Sequence, residues 1–255
     1  MTRKAAWRAV PVIALVLVML TSVPAYATPS ALRMPGPWFS TSRNWSGYAA
    51  QTSLADPQDQ VVSDVKATWT VTAVSETPVT AYSATWIGID GYSSNTVEQI
   101  GTDANWVNGQ AVYSAWYEMY PKWPKTIKTI PVHPGDVIST EVRMMGKGGF
   151  TLSMTNVTTG KSFSVSQKAP SAKRSSAEWI VEAPWSGGTL PLAHFAPISF
   201  TDCQTTISGH PGPISDSLWE NDPLTMVGPT GTDLAVPSSL TSGGSAFTMT
   251  WLAYN

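Results

Sequence analysis

Val65-Lys-Ala-Thr-Trp-Thr-Val-Thr72 alternates apolar with polar residues and is built from valine, threonine and tryptophan, side chains that suit a pleated, half-buried surface. The same period of two recurs in Ala111-Val-Tyr-Ser-Ala-Trp-Tyr117, Val137-Ile-Ser-Thr-Glu-Val-Arg143 and Ser245-Ala-Phe-Thr-Met-Thr-Trp-Leu252. Each reads as a strand with one face turned to a core. Turn signals separate them: Asp90-Gly91, Asn108-Gly109, Pro134-Gly-Asp136, Lys147-Gly-Gly149, Thr159-Gly160 and Ser242-Gly-Gly244. No long helical period interrupts the pattern. Many short strands at this spacing predict an all-β fold, an antiparallel two-sheet β-sandwich. Lys168 to Ser176 and Trp185 to Thr189 read as exposed loops.

Outward from these strands, the N-terminal residues indicate a compartment. Arg3, Lys4 and Arg8 precede an apolar run from Ala9 to Leu20, and Ala25-Tyr-Ala27 is a small-residue cleavage pattern, so residues 1–27 are expected to be a secretory signal. The run is short for a bilayer span and no second one follows, which predicts a secreted, extracellular protein with no membrane association after signal removal. Residues 28–43, with Pro29, Pro35 and Pro37, read as a short prosegment or tail, and 44–255 as one domain. Removing residues 1–27 lowers Lys+Arg from 15 to 12 against 17 Asp+Glu, a net charge of about −5 that argues against a nucleic-acid partner. Cys203 is the single cysteine, so the fold must be held by its core and not by an internal disulfide.

Twelve tryptophans are many for this length, and core packing accounts for most of them. Trp45, Trp86, Trp106, Trp116, Trp123 and Trp179 stand beside polar residues and could line a groove for an extended peptide or a sugar chain, with the rest assigned to packing. His133, His194 and His210 are isolated, with no His-x-x-x-His or Cys-x-x-Cys spacing, and no Gly-x-Ser-x-Gly occurs, so zinc and serine chemistry lack their usual signatures. Asp90, Glu118 and Glu182 keep a pair of glycosidase carboxylates open. Asn44-Trp-Ser46 and Asn156-Val-Thr158 fit the glycosylation pattern.

Six tracts, taken in order, carry a resemblance. Asn44-Trp-Ser-Gly47, Trp86-Ile-Gly-Ile-Asp-Gly91, Gln99-Ile-Gly-Thr-Asp103, Tyr113-Ser-Ala-Trp-Tyr-Glu-Met-Tyr-Pro121, Ala177-Glu-Trp-Ile-Val-Glu182 and Phe200-Thr-Asp-Cys203 together resemble the glutamic peptidases, or eqolisins. The resemblance implies an acid-acting endopeptidase on a concanavalin- or jelly-roll-like sandwich, working as a monomer on protein or peptide substrates without a metal or organic cofactor. Carried over by motif, the catalytic pair is Gln99 and Glu182, and Glu178 matches a non-catalytic acid. Trp45, Trp86, Asp90, Gly91, Asp103, Trp116 and Glu118 are implied to line or support the substrate cleft. Two features depart from the fungal members, which typically carry disulfides and a longer prosegment. The connection from Asp90 to Gln99 is also slightly shorter.

Strand parity reads the same tracts without the family. In an extended chain Glu178, Ile180 and Glu182 share one face while Trp179 and Val181 share the other, so parity leaves the two glutamates equivalent. Likewise Ser114, Trp116, Glu118 and Tyr120 form a mixed polar and aromatic face, opposite Tyr113, Ala115, Tyr117 and Met119. A secreted sandwich that binds or cleaves carbohydrate, and a purely structural one, share much of this pattern.

Overall fold

The computed structural model describes residues 31–32 and 40–254, so the expected signal at 1–27 and most of the 28–43 tail lie outside the described residues. Strands fill the chain in the order β1 (Ala31–Leu32), β2 (Ser40–Ser42), β3 (Trp45–Gln51), β4 (Val62–Thr70), β5 (Ala84–Ile89), β6 (Val97–Val107), β7 (Gln110–Tyr120), β8 (Lys125–Thr126) and β9 (Val137–Met144). They continue as β10 (Gly149–Asn156), β11 (Lys161–Lys168), β12 (Ala177–Glu182), β13 (Ile198–Ile207), β14 (His210–Pro213), β15 (Glu220–Val227), β16 (Asp233–Pro237) and β17 (Phe247–Trp251). One 3-10 turn at Ser242–Gly244 is the only helical element among the described residues, and none there could cross a membrane as a helix.

Two antiparallel arms can be followed by hydrogen bonding. One runs β15-β3-β12-β5-β6-β7-β8, the other β11-β10-β9-β4-β13. β17 and β16 link β13 to β15, so the ladder is continuous and not divided into two separate sheets. The short β2 is the exception in direction, lying parallel to β15. The longest hairpin, β6 to β7, turns on Asn108-Gly109, both at positive φ, the two-residue geometry whose twist matches the flanking strands.

Alternation explains what lies between the arms. Trp179, Val181, Ile87, Ile89, Ile100 and Tyr117 from the first arm join Val65, Ala67, Trp69, Ile138, Phe150, Leu152 and Phe200 from the second in one buried core. Two indoles tie the arms polar-to-polar as well: Trp179 Nε1 donates to Lys66 O at 3.0 Å and Trp69 Nε1 to Thr102 Oγ1 at 3.1 Å. Truncating either ring to alanine costs about 3–5 kcal/mol, the usual range for a large buried aromatic.

The burial pattern separates two kinds of strand and corrects one expectation in part. β4, β9 and β10 alternate as half-buried strands should, but β3, β5 and β12 are buried at every position. Their second face is closed by a separate apolar cluster of Trp45, Ala49, Ala84, Trp86, Val97, Trp116, Ile180 and Leu224, with Tyr92 and Tyr120 packed against it. The 168–176 segment is an exposed loop only in part: Lys168, Pro170, Ser171 and Lys173 are exposed, but Ala172, Arg174, Ser175 and Ser176 are buried. The Asp90 carboxyl draws it inward, accepting from Arg174 N at 2.6 Å and from Ser175 N at 2.9 Å.

Candidate active site

The second face of the β12-β5-β6-β7 arm collects the polar residues of the tracts. Pairing aligns them in rows across the strands. One row is Glu178, Gly88, Gln99 and Glu118; the next is Ile180, Trp86, Gly101 and Trp116; the third is Glu182, Ala84, Asp103 and Ser114. On the other side of β12, Trp45 stands opposite Glu182. By register alone Gln99 belongs with Glu178, and Glu182 lies two rows away.

Side chains reach across these rows. The Trp86 indole spans the rows: its Nε1 donates to Glu182 Oε2 at 2.9 Å, while the far edge of its ring lies over Gly88, where an added Cβ would stand 3.0 Å from Trp86 Cζ3 and 3.2 Å from Gln99 Cβ. Gly101 makes room for that ring, since a Cβ there would fall 2.5 Å from both Thr85 O and Trp86 Cβ. Trp45 meets Trp86 edge to face, ring centroids 5.0 Å apart. Asn44 Nδ2 donates to the other oxygen, Glu182 Oε1, at 3.1 Å. Across the face Gln99 Nε2 donates to Glu118 Oε2 at 2.6 Å.

Electrostatics joins the two groups. Burial pushes the Glu182 carboxyl well above the usual carboxylate range and the neighbouring Glu118 pushes it further, against the pull of Trp86, Trp45 and Asn44 as donors. Burial raises Glu118 to about 8, opposed by the Gln99 hydrogen bond. Asp103 keeps part of its surface open, but its carboxyl is enclosed and burial raises it to about 6, with Ser114 and Trp116 pulling the other way. Glu178 is also wholly buried and raised by burial, but the carboxyls that act on it are Asp90 and Glu98 and not Glu118. The two glutamates of β12, equivalent by parity, therefore sit in different electrostatic company. In chemical terms a carboxyl held by neutral donors can exchange a proton with water, and an amide such as that of Gln99 can present N–H to a developing oxyanion.

The remaining sequence candidates fall in varied places. Trp86, Trp116, Trp45, Glu118 and Asp103 share this face with Gln99 and Glu182. Asp90 does not: both of its oxygens are taken up by the backbone of residues 174 and 175, the Ser175 hydroxyl and Thr96. Gly91, at φ 109°, packs so closely that a Cβ would meet Val97 and Trp45 at 2.6 and 2.7 Å, which makes it a spacer at the edge of the cluster. Trp179 belongs to the main core, Trp123 is exposed, and Trp106 is half-buried outside the cluster.

Several other positions are settled by burial. Asn44 and Asn156 are 1% and 0% exposed, so neither glycosylation pattern presents its amide to solvent. Cys203 is enclosed in the core, and burial pushes its thiol far above the ordinary range. The three histidines are apart, with His194 stacked on Trp251, His210 beside Asp216 and His133 beside Asp136. No group of three metal-ligating side chains converges among the described residues. Asn44, beside Glu182, and Glu98, buried on the core side of β6, are residues that sequence reading passed over. Asn44 stood inside a recognised tract, and Glu98 directly precedes Gln99, so adjacency was the available signal.

Comparison with known proteins places this geometry in context. Residues 43–251 match the Peptidase A4 family. Aspergillopepsin-2 of Aspergillus niger is 35% identical over 133 residues, which cover 50% of this chain and 47% of that protein. Scytalidopepsin B of Scytalidium lignicola is 33% identical over 166 residues, 58% of this chain and 62% of that one. The chain thus spans about half to three-fifths of the length of these two curated relatives. Among solved structures, that of scytalido-glutamic peptidase with a transition state analog inhibitor superposes with a TM-score of 0.69 at 26% identity, covering 83% of this chain and 99% of that one.

Proposed function

The chain belongs to the Peptidase A4 family, and from that premise we propose that it is a secreted glutamic endopeptidase that hydrolyses peptide bonds of protein substrates at acid pH. The observation that supports the reading most is the grip on Glu182: a buried carboxyl whose two oxygens accept from the neutral donors Asn44 and Trp86, with the Gln99–Glu118 pair as its electrostatic neighbour.

The chemistry follows from where charge rests. The charge of Glu118 raises Glu182, so the ionisation of one carboxyl depends on the other. Hydrogen bonds from Asn44 and Trp86 favour the ionised form of Glu182, against its burial and the charge of Glu118. Ionised Glu182 takes a proton from water as that water attacks the scissile carbonyl. The Gln99 amide has a second N–H beyond the one given to Glu118, and this donates to the oxyanion. Protonated Glu182 then passes its proton to the leaving nitrogen.

Digestion of denatured casein by purified protein across pH 2 to 7 tests this. Glu182→Gln should abolish cleavage with the fold intact, Gln99→Ala should slow it ~10²–10³-fold, the typical loss of one oxyanion donor, and Glu178→Gln should retain substantial activity. Normal cleavage by the Glu182 variant, or an optimum above pH 7, overturns the reading.

A further inference from the structure

We propose that Asn44 is a positioning residue that sets both the orientation and the ionisation of Glu182, and that Ser42 locks it in the donating orientation. The proposal rests on the reading of Glu182 as the general base and deepens it.

Asn44 holds the end of β12 from two sides. Its backbone carbonyl accepts from Ala183 N at 2.8 Å, one residue past Glu182, while its side-chain Nδ2 donates to Glu182 Oε1 at 3.1 Å. Backbone and side chain of one residue thus fix the main chain and the carboxyl of the glutamate together. Both Asn44 and Glu182 are about 98–99% buried, so solvent does not compete for the contact.

The orientation of the amide follows from hydrogen-bond counting at Ser42. The buried Ser42 hydroxyl oxygen accepts from two backbone amides, Asn44 N at 3.3 Å and Trp45 N at 3.1 Å. Two acceptances use its two lone pairs, so toward the Asn44 side chain, at 3.3 Å, it can only donate. Asn44 must then present its oxygen to Ser42 and its NH₂ to Glu182. An amide that could flip would offer Glu182 a lone pair half the time; this one offers only N–H. β2, which carries Ser42, is itself pinned by Asp222, whose Oδ1 accepts from Ser40 N at 3.3 Å.

The consequence is electrostatic. A neutral donor that cannot turn around favours ionised Glu182 over its protonated form at every pH, and it does so without a charge of its own. The charged group acting on Glu182 is Glu118 of β7, which opposes ionisation. Asp103 of β6 lies in the same strand row, Gln99 is neutral, and the Arg43 guanidinium, next to Asn44, is turned to the Gly228 carbonyl. Among these groups none supplies positive charge to Glu182, so the fixed N–H donors carry that task, and Asn44 is the one whose orientation the chain enforces separately.

The test is the pH dependence of kcat on a peptide substrate for the full chain carrying Asn44→Ala, Asn44→Asp or Ser42→Ala, with thermal stability measured in parallel. Asn44→Ala should move the acid limb to higher pH by about one unit, the order of one hydrogen bond to an ionised acceptor, with KM little changed. Asn44→Asp, which replaces the donor by a third carboxyl, should move it further. Ser42→Ala frees the amide to flip and should give a smaller shift in the same direction, which keeps the proposal testable should Asn44→Ala fold poorly. An acid limb at the parental pH in folded Asn44→Ala or Ser42→Ala protein, with activity reduced only in proportion to stability, overturns the positioning role. Cleavage by Glu182→Gln would instead sink the underlying assignment of the base, so the two failures are distinct.

Discussion

Glu98 should make this fold unstable as pH rises toward neutrality, and Glu98→Gln should relieve that. Glu98 lies on β6 one residue before Gln99 and faces the opposite way, between Ile89 of β5 and Met119 of β7 in register. It is 0% exposed, and neither carboxyl oxygen has a hydrogen-bond partner. Burial, then the nearby Asp90, raise it to about 9. The guanidinium of Arg174, beside Asp90 in the chain fold, is committed to Gln60 and the Val62 carbonyl and gives no relief. The fold therefore binds this proton more tightly than the unfolded chain, where a glutamate titrates near ~4.3. Below that value both states are protonated and the residue has no effect on pH dependence. Between it and about 9 the unfolded chain has lost the proton while the fold keeps it, so stability falls by ~1.4 kcal/mol per pH unit. From pH 4 to pH 7 the loss is roughly 3 kcal/mol, a large part of a typical ~5–15 kcal/mol total. Glutamine cannot ionise, so the variant should lose less. At ~2–4 °C per kcal/mol, its Tm should fall by about 6–12 °C less than the parent's between those two pH values. Comparing the change between two pH values cancels any fixed cost of the buried amide. Thermal unfolding by circular dichroism, in a Glu182→Gln background to prevent self-digestion, measures it. Parallel decline of both Tm values would refute the reasoning and show that Glu98 is not the residue whose ionisation the fold resists.

Two further outcomes are expected. Glu118→Gln removes the charge that raises Glu182, so the acid limb of the rate profile should move to lower pH, opposite to the shift from Asn44→Ala; a shift in the same direction would show that Glu118 acts on Glu182 otherwise than by charge. Gly101→Ala places a methyl 2.5 Å from Thr85 O and Trp86 Cβ, so it should cost about 1–3 kcal/mol or more in urea unfolding and lower activity through a displaced indole; a variant with parental stability and activity would mean that the Trp86 seat is soft.

Much of the strand content and the facing of residues within strands was legible in the chain, because alternation is a two-residue period written locally. Trp179 and Val181 turn to the core while Ile180 joins the opposite cluster, and Trp116 and Tyr120 part from Tyr117 and Met119, as parity requires. Parity had no means to distinguish Glu178 from Glu182, and register, had it been known, would have favoured Glu178 through its row with Gly88 and Gln99. Only the tertiary structure sets the two apart, through a long indole that reaches across two rows and through which carboxyl lies near which. The same holds for Asp90, whose Asp-Gly turn signal says nothing of the 174–175 backbone it grips some 84 residues later, and for β3, β5 and β12, whose second face is closed by side chains from distant strands. Local sequence determines which way a side chain points; its charge state and partners are set by groups remote in the chain, and those exist as neighbours only once the sheet has closed over them.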